Sequence, residues 1–269
     1  MNFSSFELVV LGLFAAFANV LGGLILLPSG IYQKFKAALK YLLALGAGFM
    51  LAVTFIELLP KTISLWQTDK NSLSAETLVF PMALLLVGYL LTQFFEHTIA
   101  PHFHLGEEVH SHGDHLLSTK SAYTAIGGLM IHTFFDGVSI AAASQVDYKA
   151  GLLVFIAVFL HKFPEGFTIA SMILAAGKSF REVLFATSLV GLTTFIGVVS
   201  FLLIGQNIEF AINYALPVAC GVTLYVAASD LIPEVNHHAG KRPLVSLSVF
   251  AGVALFFLLH FLLHALLEN

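Results

Sequence analysis

Residues 151–176 read GLLVFIAVFLHKFPEGFTIASMILAA, and this stretch decides the architecture of the chain. A helix needs about 20 mostly apolar residues to cross the hydrocarbon core of a membrane, and this stretch is long enough. Three ionisable residues nevertheless lie within it: His161, Lys162 and Glu165. An ionisable side chain inside a membrane is costly unless it lines a cavity or has a partner. The same stretch therefore also indicates a functional site.

The whole chain has the composition of a membrane protein. Of its 269 residues, 58% are hydrophobic and 10% are charged, and the mean hydropathy is +0.91. A soluble domain carries about 25% charged residues, so the composition excludes a soluble enzyme and a disordered chain. The single cysteine, Cys220, excludes a disulfide framework and a cysteine-built zinc module. The 12 Lys and Arg residues form no basic stripe, which argues against nucleic-acid binding.

Seven further apolar runs are long enough to cross a membrane as helices, and none of them alternates as the strands of a membrane barrel do. We predict an all-α integral membrane protein with eight transmembrane helices in one polytopic domain, residues 1–269. The first segment has no basic residue before a long apolar run, so we expect it to remain in the mature protein rather than act as a signal peptide. The predicted spans are Phe6–Leu27, Ala38–Pro60, Leu78–Ala100, Ser121–Ser144, Gly151–Ala176, Glu182–Ile204, Ile208–Leu231 and Leu244–Leu266.

The basic residues predict how the spans are oriented. The odd-numbered loops and their flanks carry eight Lys and Arg residues, whereas the even-numbered loops carry three. Positive residues stay on the cytoplasmic side of a membrane. We therefore expect the odd-numbered loops in the cytoplasm and both termini outside it, in a plasma or inner membrane.

The third loop is the longest connection and is rich in histidine. Residues 101–120 read PHFHLGEEVHSHGDHLLSTK and have no helical period of apolar residues. We predict a mobile cytoplasmic segment that chelates metal weakly, and the alternative is a solvated linker whose histidine content is incidental. The histidines concerned are His102, His104, His110, His112 and His115.

The fourth span repeats the polar pattern of the fifth. It contains HTFFDG, with His132 and Asp136, whereas the fifth contains HKFPEG, with His161 and Glu165. A separation of four residues places two side chains on one face of a helix, about one turn apart. If the polar faces of these two antiparallel neighbours meet, two imidazoles and two carboxylates converge near the middle of the membrane.

Two imidazoles and two carboxylates form a donor set that suits a transition metal. Zn²⁺ is favoured, with Fe²⁺, Mn²⁺, Co²⁺ and Cd²⁺ as alternatives, and the lack of thiolates argues against Cu⁺. A single buried His–Asp pair is often only a hydrogen-bonded contact between helices. Two matched pairs in neighbouring spans are harder to explain in that way, because of the cost of intramembrane charge.

HTFFDG and HKFPEG resemble the paired signatures of the ZIP (Zrt/Irt-like protein) metal transporters. The eight spans, the outside termini and the His-rich third loop are similar to that family as well. The resemblance implies an inverted repeat of spans 1–3 and 6–8 around spans 4 and 5, and it also implies a homodimer. It further implies alternating access, in which spans 1, 4, 5 and 6 slide against spans 2, 3, 7 and 8.

The ends of the second and seventh spans fit such a repeat. ELLP at residues 57–60 and DLIPE at residues 230–234 end these spans on opposite sides of the membrane, as an inverted repeat requires. A simple helix terminus explains each motif about as well. In family terms, Glu57 is similar to an outer-mouth residue, and the residues similar to the inner exit are Asp230, Glu234, His237 and His238.

The chain departs from the family members that hold two metal ions. Those members have Asn after the first His and an acid after the second, where this chain has Thr133 and Lys162. Thr193 and Thr194 stand where some members contribute an acid from the sixth span. We therefore expect one metal ion, with Lys162 as a fixed ammonium that keeps the carboxylates ionised. The alternative role for Lys162 is an ion pair that serves helix packing only.

The sequence thus predicts transport of a divalent transition-metal cation, most simply Zn²⁺, into the cytoplasm by alternating access. The metal is the substrate, the lipid bilayer is the surrounding partner, and no catalytic cofactor is expected. A membrane-embedded metalloenzyme is the alternative, although the chain has neither an H-E-x-x-H nor a G-x-S-x-G motif. A metal sensor or a structural membrane protein is a third interpretation.

Overall fold

The computed structural model describes residues 3–24, 29–67, 75–99, 119–203, 208–239 and 243–267. Within these ranges the chain is helical and has no strand, which confirms the all-α prediction. The helices have the following bounds, where Val53–Leu58 and Val226–Leu231 are π-helical turns: Ser5–Leu24, Ser29–Ala52, Val53–Leu58, Leu59–Trp66, Ala75–Ile99, Thr119–Val146, Tyr148–Ala175, Phe180–Leu203, Ile208–Tyr225, Val226–Leu231, Ile232–Ala239 and Pro243–Leu267.

Eight helical stretches in the described part of the chain are long and apolar enough to cross a membrane, as predicted. We number them span 1 to span 8 in chain order: Ser5–Leu24, Lys40–Trp66, Ala75–Thr98, Ile126–Val146, Tyr148–Leu174, Phe180–Leu203, Ile212–Leu231 and Pro243–Leu266. Spans 2 and 4 lie mostly inside the bundle, 67% and 61% buried, whereas spans 3 and 8 are each only 17% buried. The polar motif of span 4 is therefore shielded by other helices rather than presented to lipid.

The second span extends beyond its predicted end at Pro60, to Trp66, whereas the seventh ends at Leu231 as predicted. The helix does not stop at Pro60 or at Pro233, but continues through Leu59–Trp66 and Ile232–Ala239. A π-helical turn lies just before each proline. Because such a turn shifts the backbone hydrogen-bond register by one residue, the helix passes the missing proline amide without ending. Glu57 and Asp230 thus lie within helices, on the π turns themselves.

The spans pack in two groups. Span 1 packs on spans 5 and 6, and span 4 packs on the same two spans. Span 2 packs on span 8, and span 3 packs on span 7, while spans 2 and 7 also contact each other. The first group is joined to the second chiefly where span 4 meets spans 3 and 7 and where span 5 meets spans 2 and 8.

Glycines allow the helices within each group to approach to backbone contact. Gly48 of span 2 abuts the Val249 carbonyl of span 8, and Gly252 of span 8 abuts the Leu45 carbonyl of span 2. Any Cβ at these glycines would collide with that carbonyl. Spans 3 and 7 make the same reciprocal contact, through Gly88 with Val218 and Gly221 with Leu85.

Within the first group, reciprocal glycine contacts also hold spans 4 and 5 to spans 6 and 1. Gly22 of span 1 abuts the Phe163 carbonyl, and Gly166 of span 5 abuts the Asn19 carbonyl. On the other side, Gly197 of span 6 abuts the Phe134 carbonyl, and Gly137 of span 4 abuts the Thr194 carbonyl. Gly137 and Gly166 each follow a predicted ligand in sequence, so these close contacts fix the height of Asp136 and Glu165 in the bundle.

Candidate metal centre

Spans 4 and 5 bring the two predicted ligand pairs together. His132 and Asp136 lie one turn apart on span 4, and His161 and Glu165 lie one turn apart on span 5. One ligand atom from each residue lies within 4.8 Å of the other three. His132, Asp136 and His161 are buried, whereas Glu165 is partly buried. The four side chains can therefore reach a single ion.

Each histidine of the centre turns Nδ1 towards an acceptor outside the centre and Nε2 towards the centre. His161 Nδ1 lies 3.0 Å from the carbonyl oxygen of Ala157, and His132 Nδ1 lies 3.3 Å from Glu96 Oε1. A carbonyl or an ionised carboxylate can only accept a hydrogen bond. A neutral ring that donates from Nδ1 to such an acceptor has an unprotonated Nε2 towards the centre, which is the tautomer that a bound metal ion requires.

Both Nε2 atoms face the same carboxylate oxygen. Each lies 3.2 Å from Asp136 Oδ2. A ring proton on Nε2 can bridge such a pair in the metal-free centre, and a bound cation takes the place of that proton. Ligands of a tetrahedral Zn²⁺ lie about 3.3 Å apart, because each is about 2.0–2.1 Å from the ion. The two 3.2 Å separations are close to that value, and all four ligand atoms lie within 4.8 Å of one another.

Lys162 places a positive charge beside the two carboxylates. Its Nζ lies 2.8 Å from Asp136 Oδ2 and 2.8 Å from Glu165 Oε2, and the side chain is fully buried. The ammonium therefore bridges span 4 to span 5. A fixed charge at this position compensates part of the negative charge of the centre.

Two contacts tie the centre to spans 1 and 6. The Asn19 side-chain amide of span 1 donates a hydrogen bond to Glu165 Oε1 over 3.0 Å. The Thr133 hydroxyl hydrogen-bonds with the Thr193 hydroxyl of span 6. Sequence reasoning singled out Thr133 and Thr193 but missed Asn19. The available signal was an amide side chain in an otherwise apolar predicted span.

Glu96 is a second residue that sequence reasoning missed. It lies near the end of span 3, is 7% exposed, and reaches across to His132 from the other group of spans. Tyr225 of span 7 interacts with the same carboxylate. The available signal was an acid within the third predicted span, whose position near the span end made it resemble a flanking residue.

Glu57 belongs to a separate polar cluster at one end of the bundle. Lys61 Nζ lies 3.1 Å from Glu57 Oε1 and also pairs with Asp147, at the connection between spans 4 and 5. His260 Nδ1 of span 8 lies 3.2 Å from Glu57 Oε2. By the predicted orientation, this cluster lies at the outer end.

The remaining predicted pathway residues lie elsewhere. Asp230 is partly buried on the π turn of span 7, next to Ser229, whose hydroxyl is 2.6 Å from the Tyr89 hydroxyl. Glu234, His237 and His238 lie on the helix Ile232–Ala239, but their side chains are outside the described residues. The five loop histidines also lie outside the described residues: His102, His104, His110, His112 and His115.

A family model described as ZIP Zinc transporter matches residues 102–260, which is more than half of the chain and includes both ligand pairs. The chain belongs to the ZIP zinc transporter family. This membership confirms the predicted resemblance of the chain to the ZIP family. The family is described as one of zinc transporters, which argues against the metalloenzyme alternative.

Individual ZIP relatives match over shorter stretches. The chain is 30% identical over 141 residues to zinc transporter foi of Drosophila melanogaster, 34% over 116 residues to human zinc transporter ZIP4, and 31% over 121 residues to human zinc transporter ZIP10. These stretches are 51%, 43% and 45% of this chain but only 20%, 18% and 15% of the relatives. The chain thus spans a fifth or less of the length of these curated relatives.

Proposed function

We propose that this chain transports a divalent transition-metal cation, with Zn²⁺ as the preferred substrate, and binds it through His132, Asp136, His161 and Glu165. The observation that carries the proposal is the convergence of four ligand atoms within 4.8 Å inside a bundle of membrane spans. Membership of a family of zinc transporters supports it. Fe²⁺, Mn²⁺, Co²⁺ and Cd²⁺ accept the same nitrogen and oxygen donors and are the competing substrates.

The centre holds one ion in this proposal. Lys162 Nζ contacts both carboxylates at 2.8 Å, and an ammonium there repels a second dication. Thr133, which is engaged with Thr193, offers a hydroxyl in place of a stronger ligand. Both features support a single bound ion.

The arrangement of spans supports alternating access. All four ligands lie on spans 4 and 5, which pack with spans 1 and 6, whereas spans 2, 3, 7 and 8 form the second group. A displacement of the first group relative to the second carries the ligands without separating them from one another. Glu57 then lines the outer mouth, and Asp230 and Glu234 line the exit to the cytoplasm. The loop histidines receive the ion weakly after release.

Uptake into proteoliposomes tests the proposal. Purified protein is reconstituted and assayed with Zn²⁺, Fe²⁺, Mn²⁺, Co²⁺ and Cd²⁺, beside protein-free vesicles. We expect protein-dependent, saturable uptake of Zn²⁺ that the other ions inhibit in competition. Uptake equal to that of protein-free vesicles for every metal would contradict transport.

A further inference from the structure

The two imidazoles of the centre are held by acceptors of different kinds. The acceptor for His161 Nδ1 is the carbonyl of Ala157, one turn earlier on the same helix. The acceptor for His132 Nδ1 is the carboxylate of Glu96 on span 3, which belongs to the other group of spans. His161 therefore keeps its acceptor whatever the arrangement of the two groups, whereas His132 does not.

We propose that Glu96 is a positioning residue for His132. Its carboxylate holds the imidazole with the ring proton on Nδ1 and the Nε2 lone pair in the centre. Glu96 does so only while span 3 lies against span 4. This inference rests on the proposed function, since it deepens the role of one ligand. Glu96 itself does not contact the ion.

The surroundings of Glu96 suit this role. Its side chain is buried, and Oε1 lies 3.3 Å from His132 Nδ1. His132 Nε2 lies 3.2 Å from Asp136 Oδ2, another ligand atom of the centre, so the nitrogen opposite Glu96 is the one that faces the metal position. A carboxylate that accepts the second ring N–H of a metal-binding histidine fixes the tautomer and raises the basicity of the ligand nitrogen.

A consequence follows for release of the ion. When the first group moves relative to the second, His132 travels with span 4 and Glu96 stays with span 3. The ring then loses its acceptor, and Nε2 becomes free to take the ring proton. The affinity of the centre therefore falls in the displaced arrangement, and the movement itself weakens the bond that has to break.

Three variants of the full chain separate this role from general packing. Glu96→Leu removes the acceptor, whereas Glu96→Gln keeps an oxygen that can accept from Nδ1–H. Thr92→Val is the matched control, because Thr92 is one turn away on span 3, is buried, and donates its hydroxyl hydrogen bond to the Gly88 carbonyl of its own helix. If Glu96→Leu does not fold, Glu96→Met takes its place.

The first readout is the tautomer of His132 in metal-free protein. Spectra of isotope-labelled histidine are recorded, and the His132 signals are identified by their loss in His132→Gln. We expect the Nδ1–H tautomer in the wild type, in Glu96→Gln and in Thr92→Val, and a mixture of tautomers in Glu96→Leu. A wild-type ring protonated on Nε2, or no change in Glu96→Leu, overturns the proposal.

The second readout is equilibrium binding of Zn²⁺ in protein whose five loop histidines are replaced by serine. We expect Glu96→Leu to lose about 10–100-fold in affinity, as happens when the hydrogen-bond partner of a metal-binding histidine is removed. Glu96→Gln should recover most of that loss. An equal loss in Glu96→Gln and Glu96→Leu overturns the acceptor role. Failure of the wild type to bind Zn²⁺ would instead count against the proposed function, while the tautomer spectra still decide the role of Glu96.

Discussion

The four ligand side chains allow binding and folding to be separated at the level of single residues. We expect His161→Ala and Glu165→Ala to abolish Zn²⁺ uptake in proteoliposomes while the protein remains folded. Each change removes a ligand but fills no space and adds no buried charge. Ser171→Ala on the same span is the control, since its hydroxyl bonds the Phe167 carbonyl of its own helix. Near-normal uptake by both ligand variants would refute the assignment.

The imidazoles also predict how binding depends on pH. Protons and metal ions compete for Nε2, because an imidazole must be unprotonated at that nitrogen to bind a metal ion. Zn²⁺ affinity therefore falls as the pH is lowered. With two rings, the loss approaches about 100-fold per pH unit on the acid side, and with one ring about 10-fold. Titration calorimetry on the wild type and on His132→Gln should give these two slopes. A wild-type affinity that does not change with pH would contradict ligation by histidine.

Lys162 predicts the number of ions in the centre. We expect Lys162→Asp to create a site for a second ion or to change the metal selectivity, because it replaces a positive charge by a ligand. Lys162→Met should weaken transport without abolishing it, because the four ligands remain. Metal content is measured on protein that lacks the His-rich loop. Two ions in the wild-type centre would show that the ammonium does not take the place of the second.

The ligand residues could be predicted from the sequence because their spacing is local. His132 and Asp136 share a helix face by virtue of helical geometry alone. Asn19 and Glu96 could not be predicted in the same way, because each is a single polar residue whose partner lies 146 or 36 positions away. Only the packing of spans 1 and 3 against the central pair brings these side chains to the centre.

At the scale of whole helices, the glycine contacts form matching pairs of the kind expected from an inverted repeat, which stays a prediction. Exchanging spans 1–3 with spans 6–8, and span 4 with span 5, converts the contact of Gly22 with Phe163 into that of Gly197 with Phe134. The same exchange converts the contacts between spans 2 and 8 into those between spans 7 and 3. The two π turns, each with an acid and then a proline, also correspond. We infer from these correspondences that the two halves share one packing design.

Close helix contact predicts which glycines tolerate a methyl group. Gly252→Ala places a Cβ against the Leu45 carbonyl, so the helices have to separate. Overpacking of this kind costs about 1–3 kcal/mol, which in a chain of this size corresponds to a fall in melting temperature of about 2–12 °C. Gly46→Ala is the control, because no atom lies within 4 Å of its added Cβ. Thermal unfolding in detergent measures both variants. An equal melting temperature for Gly252→Ala and the wild type would show that spans 2 and 8 do not need this contact.

The number of spans was predictable, whereas the continuation of the helices past Pro60 and Pro233 was not. Hydropathy over about 20 residues is a local quantity, and it locates a span without knowledge of its neighbours. Pro60 and Pro233 are usually read as helix ends. Whether a π turn carries the helix past them depends on tertiary contacts, which the sequence does not display.

At the scale of the molecule, transport by displacement of two groups predicts sensitivity to cross-links between them. Lys61 of span 2 pairs with Asp147 at the connection between spans 4 and 5, so this contact joins the groups. With Cys220 replaced by Ala, we expect a short bis-methanethiosulfonate reagent to block uptake in Lys61→Cys/Asp147→Cys, and dithiothreitol to restore it.

The matched control joins two spans of the same group. The indole of Trp66 donates a hydrogen bond over 3.0 Å to the carbonyl of Asn213, which links span 2 to span 7. Cross-linked Trp66→Cys/Asn213→Cys should retain uptake, because no relative movement is required there. Full uptake by the completely cross-linked Lys61→Cys/Asp147→Cys protein would exclude a displacement between the groups.

The buried ammonium of Lys162 also has an electrical consequence for the proposed cycle. With neutral imidazoles, Asp136, Glu165 and Lys162 give the empty centre one net negative charge, and a bound dication changes it to one net positive charge. A voltage that is negative inside the cell therefore drives the loaded centre inwards and the empty centre outwards. Each leg gains up to ~2.3 kcal/mol for roughly 100 mV. Without Lys162 the loaded centre is neutral and the empty one doubly negative, so all of the voltage dependence falls on the return of the empty carrier.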